Sequence, residues 1–222
     1  LLYHFKNNIV SYHYFYKQYK RFVKNQKFEI PTIDTDLCIE SYPSSDNSYL
    51  YNVVRLLYPE LNIAHHTHCV RSLMIAKKKS VTTIVIIRDP LDAVSSKVAR
   101  FNSGIKLSLY EYKKFYTFVL DNRDGFNVLQ FDTAISDKIK IILTDIIDIN
   151  SNSGRKFASI KANVLEHIKT YDKNEKVAAM PNDEREDRKK IIKNEIKSYN
   201  LYEDTVKIYN DEEIKYSYGQ VS

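Results

Sequence analysis

The stretch Thr82-Thr83-Ile84-Val85-Ile86-Ile87-Arg88-Asp89-Pro90 decides the fold. Its first six residues are β-branched and uncharged. Such a run reads as a strand covered on both faces, as in a parallel sheet. Arg88 ends the run, where the sheet opens. Asp89 and Pro90 then start a helix, since proline suits the first helical position and needs no backbone donor there. A buried strand that passes directly into a helix is the unit of an α/β sheet.

The rest of the chain repeats this unit. Asp36–Ser41 reads as a strand, followed by a turn-rich loop and a helix from about Ser48 to Leu57. Asn62–His66 is a weaker strand and Val70–Lys78 a helix. Lys106–Leu120 reads as helical, Asn127–Phe131 as another strand, and helices are expected near 133–147 and 155–171. The expected fold class is therefore α/β, a central parallel β-sheet flanked by helices. Ligands in such folds bind beyond the carboxyl ends of the strands. After Pro181, the acidic residues Asp183, Glu184 and Glu186 suit the first turn of a helix running to about Ser198. Leu201–Tyr209 reads as a second helix, which makes the C-terminal tail helical.

Residues 1–27 carry apolar side chains at Leu2, Phe5, Ile9, Tyr12, Tyr16, Tyr19 and Val23, spaced three and four apart. That spacing predicts an amphipathic helix. Lys17, Lys20, Arg21 and Lys24 make its end basic, which suits a membrane or polyanion surface. Packing against a single domain at 28–222 is the expected arrangement.

The 222 residues are 43% hydrophobic and 28% charged, with four glycines and five prolines, a composition that excludes disorder, collagen and a coiled-coil rod. The net charge of +6 favours anionic partners without choosing among them. Cys38 and Cys69 are too few for a disulfide framework and wrongly spaced for zinc, so buried free thiols are expected. No run approaches the roughly 18 apolar residues of a membrane span. The expected location is the cytoplasm, with an upstream anchor left open because the chain begins at Leu1.

Three segments carry candidate chemistry. The first is Ser41-Tyr42-Pro43-Ser44-Ser45-Asp46-Asn47-Ser48-Tyr49-Leu50-Tyr51, between a strand and a helix. Backbone N–H groups at such a helix start attract anions, and Ser45, Asn47 and Ser48 add side-chain donors. The same residues also suit ordinary N-capping. The Gly-Lys-Ser/Thr ending of a Walker loop is absent, which disfavours a nucleotide kinase. The second segment is Arg88 with Ser96, eight residues on. Arg88 offers a bidentate fork for phosphate and Ser96 a hydroxyl, unless Arg88 pairs with Asp89 or Asp92. The third is His65-His66-Thr67-His68. Adjacent histidines on a strand should face opposite ways, and no second ligand cluster supports a metal. A histidine near a phosphate loop suits a general base instead.

In order and spacing these pieces resemble the PAPS-dependent sulfotransferases, over roughly residues 35–210. The family's first signature, strand–Tyr-Pro-Lys/Arg-Ser-Gly-Thr/Asn-Thr–helix, stands here as Tyr42-Pro43-Ser44-Ser45-Asp46-Asn47-Ser48. Its second, an apolar strand ending in Arg-x-Pro with a later Ser, stands as Ile84–Pro90 with Ser96. Its catalytic histidine after a Thr stands as His68 after Thr67. The resemblance implies a P-loop-like sulfotransferase fold that uses PAPS, releases PAP and needs no metal. It implies that Pro43, Ser44, Ser45, Asp46, Asn47, Ser48 and Tyr49 hold the 5′-phosphosulfate, and that Arg88 and Ser96 hold the 3′-phosphate. His68 and the Ser44 position are implied as catalytic, and His66, Phe101 and Tyr110 as acceptor-binding. The acceptor is a small-molecule or glycan hydroxyl, with no nucleic acid partner.

Two residues depart from the family pattern. Ser44 replaces a cation that stabilises the leaving group, and Asp46 replaces a glycine. A carboxylate beside phosphate repels it unless it turns away or pairs with a cation. His66 or a Lys from the tail is a candidate to supply the missing charge. The family's late Arg-Lys-Gly segment is also absent, and Lys173, Lys176, Arg185 or Arg188 are candidates to supply its cations. The alternative is a degenerate fold of this kind that binds a nucleotide or polyanion without turnover. Phe101, Tyr110, Tyr112 and Tyr116 suit either stacking on an acceptor or packing in the core.

Overall fold

The computed structural model describes residues 29–45, 47–147, 163–164 and 183–212. The helices expected within 1–27 and most of 155–171 lie outside the described residues. The elements run β1 (Leu37–Ser41), α1 (Asn47–Leu57), β2 (Ile63–His65), α2 (Val70–Lys78), β3 (Thr82–Ile87), α3 (Pro90–Phe101), α4 (Ile105–Asp121), β4 (Asn127–Gln130), α5 (Phe131–Ala134), α6 (Ile139–Ile147), α7 (Asp183–Ile196) and α8 (Asn200–Tyr209). The four strands form one all-parallel sheet in the order β2-β1-β3-β4, as an α/β fold requires.

Burial explains why Thr82–Ile87 carries no charge. Ile84 and Ile86 join a core with Leu37 and Ile39 of β1, Leu50, Val53 and Val54 of α1, and Ile142 and Leu143 of α6. Val85 and Ile87 point the other way, into a core with Val94 of α3, Leu109 and Phe115 of α4, and Ile192 and Ile196 of α7. Side chains alternate along a strand, so a strand between two helical layers turns both faces into the core and carries no charge that lacks buried partners. The tail helices complete the second layer: α7 packs on α3, and α8 on α4 and α3. Lys193 of α7 forms an ion pair with Asp92 of α3, and Lys113 of α4 with Asp204 of α8 at 2.7 Å.

Several boundaries shift by a residue or two, and three differences have a local reason. β2 stops at His65, because His66 takes a left-handed φ of 62° that no strand continues through. β4 stops at Gln130, and Phe131 opens a helical turn in place of a fifth strand residue. The helix expected near 133–147 is two, α5 and α6. Ser136 turns the chain between them, its hydroxyl donating to the Thr133 carbonyl at 2.7 Å, as serine does where it competes with helix bonding. Cys38 and Cys69 are buried and not joined in a disulfide. Among the described residues, no helix is long and apolar enough to cross a membrane.

The sheet order also places the site. From β1 the chain passes through α1 to β2 on one side. From β3 it passes through α3 and α4 to β4 on the other. β1 and β3 are neighbours, with Ser41 beside Ile86, so their following loops part at a topological switch point. The crevice beyond such a point is where doubly wound folds bind ligands.

Candidate functional site

The two loops that flank this crevice are Tyr42–Ser45 and Arg88–Pro90. Buried tyrosines of α4 pin both of them from below. The Tyr116 hydroxyl donates to the Ile86 carbonyl at 2.7 Å and accepts from the Tyr42 N–H at 3.2 Å. The Tyr112 hydroxyl donates to the Arg88 carbonyl at 2.8 Å. Tyr42 donates in turn to the Ser108 carbonyl at 3.0 Å, and its ring meets Tyr112 edge-on at 5.2 Å. Burial pushes both the Tyr112 and Tyr116 hydroxyls up, so they stay neutral donors. Of the four aromatics considered for acceptor stacking, Tyr112 and Tyr116 are therefore core braces. Phe101 and Tyr110 keep exposed rings, at 47% and 43%.

In the first loop, Ser44 takes a φ of 67°, and the Arg88 guanidinium donates to its carbonyl at 2.9 Å. Arg88 also lies 4.2 Å from the centre of the Phe131 ring. Asp89 and Asp92, the alternative partners read for Arg88, serve elsewhere. Asp89 caps α3 by accepting from the Asp92 N–H at 3.1 Å, and Asp92 pairs with Lys193. Ser96 lies half-buried on the second turn of α3.

Beyond Ser44 the loop is rich in unpaired polar atoms. Among the described residues, Ser44 Oγ, Ser45 Oγ and the Asn47 amide are buried without a hydrogen-bond partner. Ser45 lies against the Tyr116 hydroxyl, whose oxygen can take the Ser45 proton while its own proton goes to Ile86. Asn47 is the first residue of α1, where backbone N–H groups lack intrahelical acceptors. Pro43 is half-buried and Tyr49 buried at the same helix start. Asp46 lies outside the described residues.

The histidines border the same loop. Ser48 Oγ and His66 Nε2 are 2.9 Å apart. His65 and His66 share a short hydrogen bond between their Nδ1 atoms, and Tyr51 stacks on His65 at 3.8 Å. Opposite-facing rings were expected, as on a continuous strand. The left-handed turn at His66 instead swings its ring back toward His65 and Ser48. His68, also at positive φ (54°), points its Nδ1 at the Ser41 carbonyl, 2.9 Å away. A carbonyl only accepts, so Nδ1 carries the proton and Nε2 is the basic atom. Among the described residues, no three His, Cys, Asp or Glu side chains converge as metal ligands.

One site residue went unread in the sequence. Glu40 of β1 is fully buried. Its carboxylate accepts from the Thr67 N–H at 3.0 Å, the Thr67 hydroxyl at 2.7 Å and the His68 N–H at 2.9 Å. A charge in an otherwise apolar strand was its only signal, because the donors that satisfy it lie far along the chain.

The fold and the site define a doubly wound α/β protein with a donor-lined loop at its switch point. No protein-family model matches the sequence, and comparison with curated proteins finds no match. Among solved structures, the chain is similar to mouse sulfotransferase SULT7A1 complexed with PAP. The identity is 13%, the coverage 79% of this chain and 90% of that chain, and the TM-score 0.46.

Proposed function

We propose that the protein is a sulfotransferase that uses PAPS and a hydroxyl acceptor. The observation that carries this reading is the set of buried polar atoms without a protein partner on Ser44 and Asn47 at the start of α1, beside Arg88, with Ser45 Oγ next to them. Each such orphan costs about 1–3 kcal/mol, so each calls for a group that completes its bonds, and an anion at this helix start would do so. A helix start lined with hydroxyl and amide donors fits a phosphosulfate, and the Arg88 fork with Ser96 fits the 3′-phosphate.

PAPS supplies the sulfuryl group when bound. Ser45, Asn47 and Ser48 hold the phosphosulfate end with their side chains and the α1 backbone amides. These donors are fixed before reaction, so they stabilise developing negative charge without reorganising. His68 Nε2 takes the proton of the acceptor hydroxyl, and the Nδ1–H bond to Ser41 keeps the ring in that tautomer. His66, one hydrogen bond behind Ser48, supplies positive charge when protonated and so stands in for the cation absent at Ser44. A glycan hydroxyl is the proposed acceptor, with the exposed faces of Phe101 and Tyr110 as sugar platforms.

Ser44 itself favours a second reading, a nucleotide-binding protein without turnover, because no side-chain cation stands at that position. Calorimetric titration with PAP, followed by transfer from labelled PAPS to a panel of hydroxylated acceptors, separates the two. Binding with His68-dependent turnover is expected. Binding without turnover supports the second reading, and no PAP binding removes both.

A further inference from the structure

Glu40 and Ser41 are consecutive residues of β1, and both hold His68. The side chain of Glu40 takes the His68 backbone N–H through Oε2, and the main-chain carbonyl of Ser41 takes its ring Nδ1–H. The other Glu40 oxygen takes both donors of Thr67. The turn so held has left-handed backbone at His66 and at His68, a conformation that persists only where surrounding contacts impose it. The next residues of the same strand lead directly into the phosphate loop. One strand end thus sets the base and the loop against each other.

We propose that Glu40, in its ionised form, is the positioning residue that holds His68 with Nε2 toward the reacting centre. The role rests on His68 being the base, as read above, but the clamp itself is a property of these residues alone. Three donors converge on the two oxygens, and only a carboxylate offers acceptors to all of them. A proton on Oε2 meets the His68 N–H and opens the clamp there. A proton on Oε1 is taken only if the Thr67 hydroxyl turns from donor to acceptor, so protonation loosens the clamp on one side or the other.

The setting makes that proton available near neutrality. Burial, the largest influence, pushes the Glu40 carboxyl up to about 7, against the pull of its hydrogen bonds. The groups around it are Cys38 on its own strand, Cys69 and Ser72 at the start of α2, and Thr67 and His68 on the turn. The coupled His65–His66 pair lies just before that turn. Cys38 is itself pushed up by burial and stays a neutral thiol. The Ser72 hydroxyl lies close by without completing a hydrogen bond.

The test is a pH titration by NMR with 15N-histidine and 13C-glutamate labels, on the full chain and on Glu40→Gln. Glutamine keeps an acceptor for Thr67 but sets an N–H₂ against the His68 N–H. In the wild type, the Glu40 carboxyl carbon and the His68 amide are expected to shift together with a midpoint near 7. In Glu40→Gln the shared transition disappears, and the His68 ring moves from the Nδ1–H tautomer toward a mixture. A residue that merely stabilised the fold would leave that tautomer unchanged, and an unchanged tautomer overturns the proposal. If Glu40→Gln does not fold, the wild type still decides, because separate midpoints for Glu40 and His68 overturn it equally. PAP is titrated against the same wild-type sample. Failure of the wild type to bind PAP would remove the functional reading while leaving the tautomer result to judge the clamp.

Discussion

Ser44 bends through the left-handed region at φ 67° with its carbonyl held by Arg88, so the position is strained and brings no cation on its own side chain. Ser44→Lys adds a cation at the start of the donor-lined loop. Loss of one transition-state donor typically costs about 10²–10³ in rate, so the gain in sulfuryl transfer is expected to reach at least about tenfold. If the wild type turns over, no gain in an assay with labelled PAPS would mean that another group already supplies the charge. Arg88→Lys tests the other half of the crevice. Lysine keeps the charge but loses the fork and its stacking on Phe131, so PAP affinity should fall about tenfold or more by calorimetry. These residues were legible because motif spacing marks them within one short segment each. Glu40 was not. Its meaning depends on donors at Thr67 and His68, brought to it by the β1–β2 pairing.

At the scale of elements, α3 shows why some features read well and others poorly. Its start is local: Asp89 caps, Pro90 takes the first position, and the chain before it is a strand. Its partner choice is not. Lys97, buried within α3, forms an ion pair with Glu111 of α4, and its ammonium lies 5.0 Å from the Tyr42 ring centre. Nothing in the spacing of positions 97 and 111 announces this pair, since a lysine and a glutamate on two helices ordinarily face solvent. Both side chains are only about a tenth exposed, so removing one charge strands the other. Lys97→Met is expected to cost about 3–5 kcal/mol in urea unfolding. The double variant Lys97→Met, Glu111→Leu should recover much of that loss, and a double variant no better than the single would show that packing, not charge, sets the penalty. β2 and the break between α5 and α6 blurred for a similar reason. A three-residue strand and a Ser136 turn are too short for periodicity to register.

At the scale of the whole molecule, the alternation of strands and helices was readable, but the order β2-β1-β3-β4 was not, because register between strands is non-local. That order creates the switch point, and with it a buried carboxylate at the end of a central strand. The same carboxylate gives the fold a pH signature. The Glu40 carboxyl is pushed up to about 7 from a usual value of 4.5, so the folded state holds its proton more tightly than the unfolded chain does. Its contribution to stability is therefore fully present below 4.5 and lost as pH rises through 7. The shift corresponds to about 3 kcal/mol. Tyr112 and Tyr116, also pushed up, titrate above this window and do not interfere. The exposed Asp204, held down by Lys113, acts in the opposite direction and is common to both proteins compared. Urea unfolding of the wild type and of Glu40→Gln at intervals from about pH 5 to 8 brings out the effect, because groups distant from Glu40 cancel in the difference. The wild type should lose stability relative to the variant as pH rises. A difference that stays flat across the window would mean that the carboxylate is better solvated than its burial implies. The expected slope instead means that the fold is least stable where Glu40 is ionised and its hold on His68 is complete.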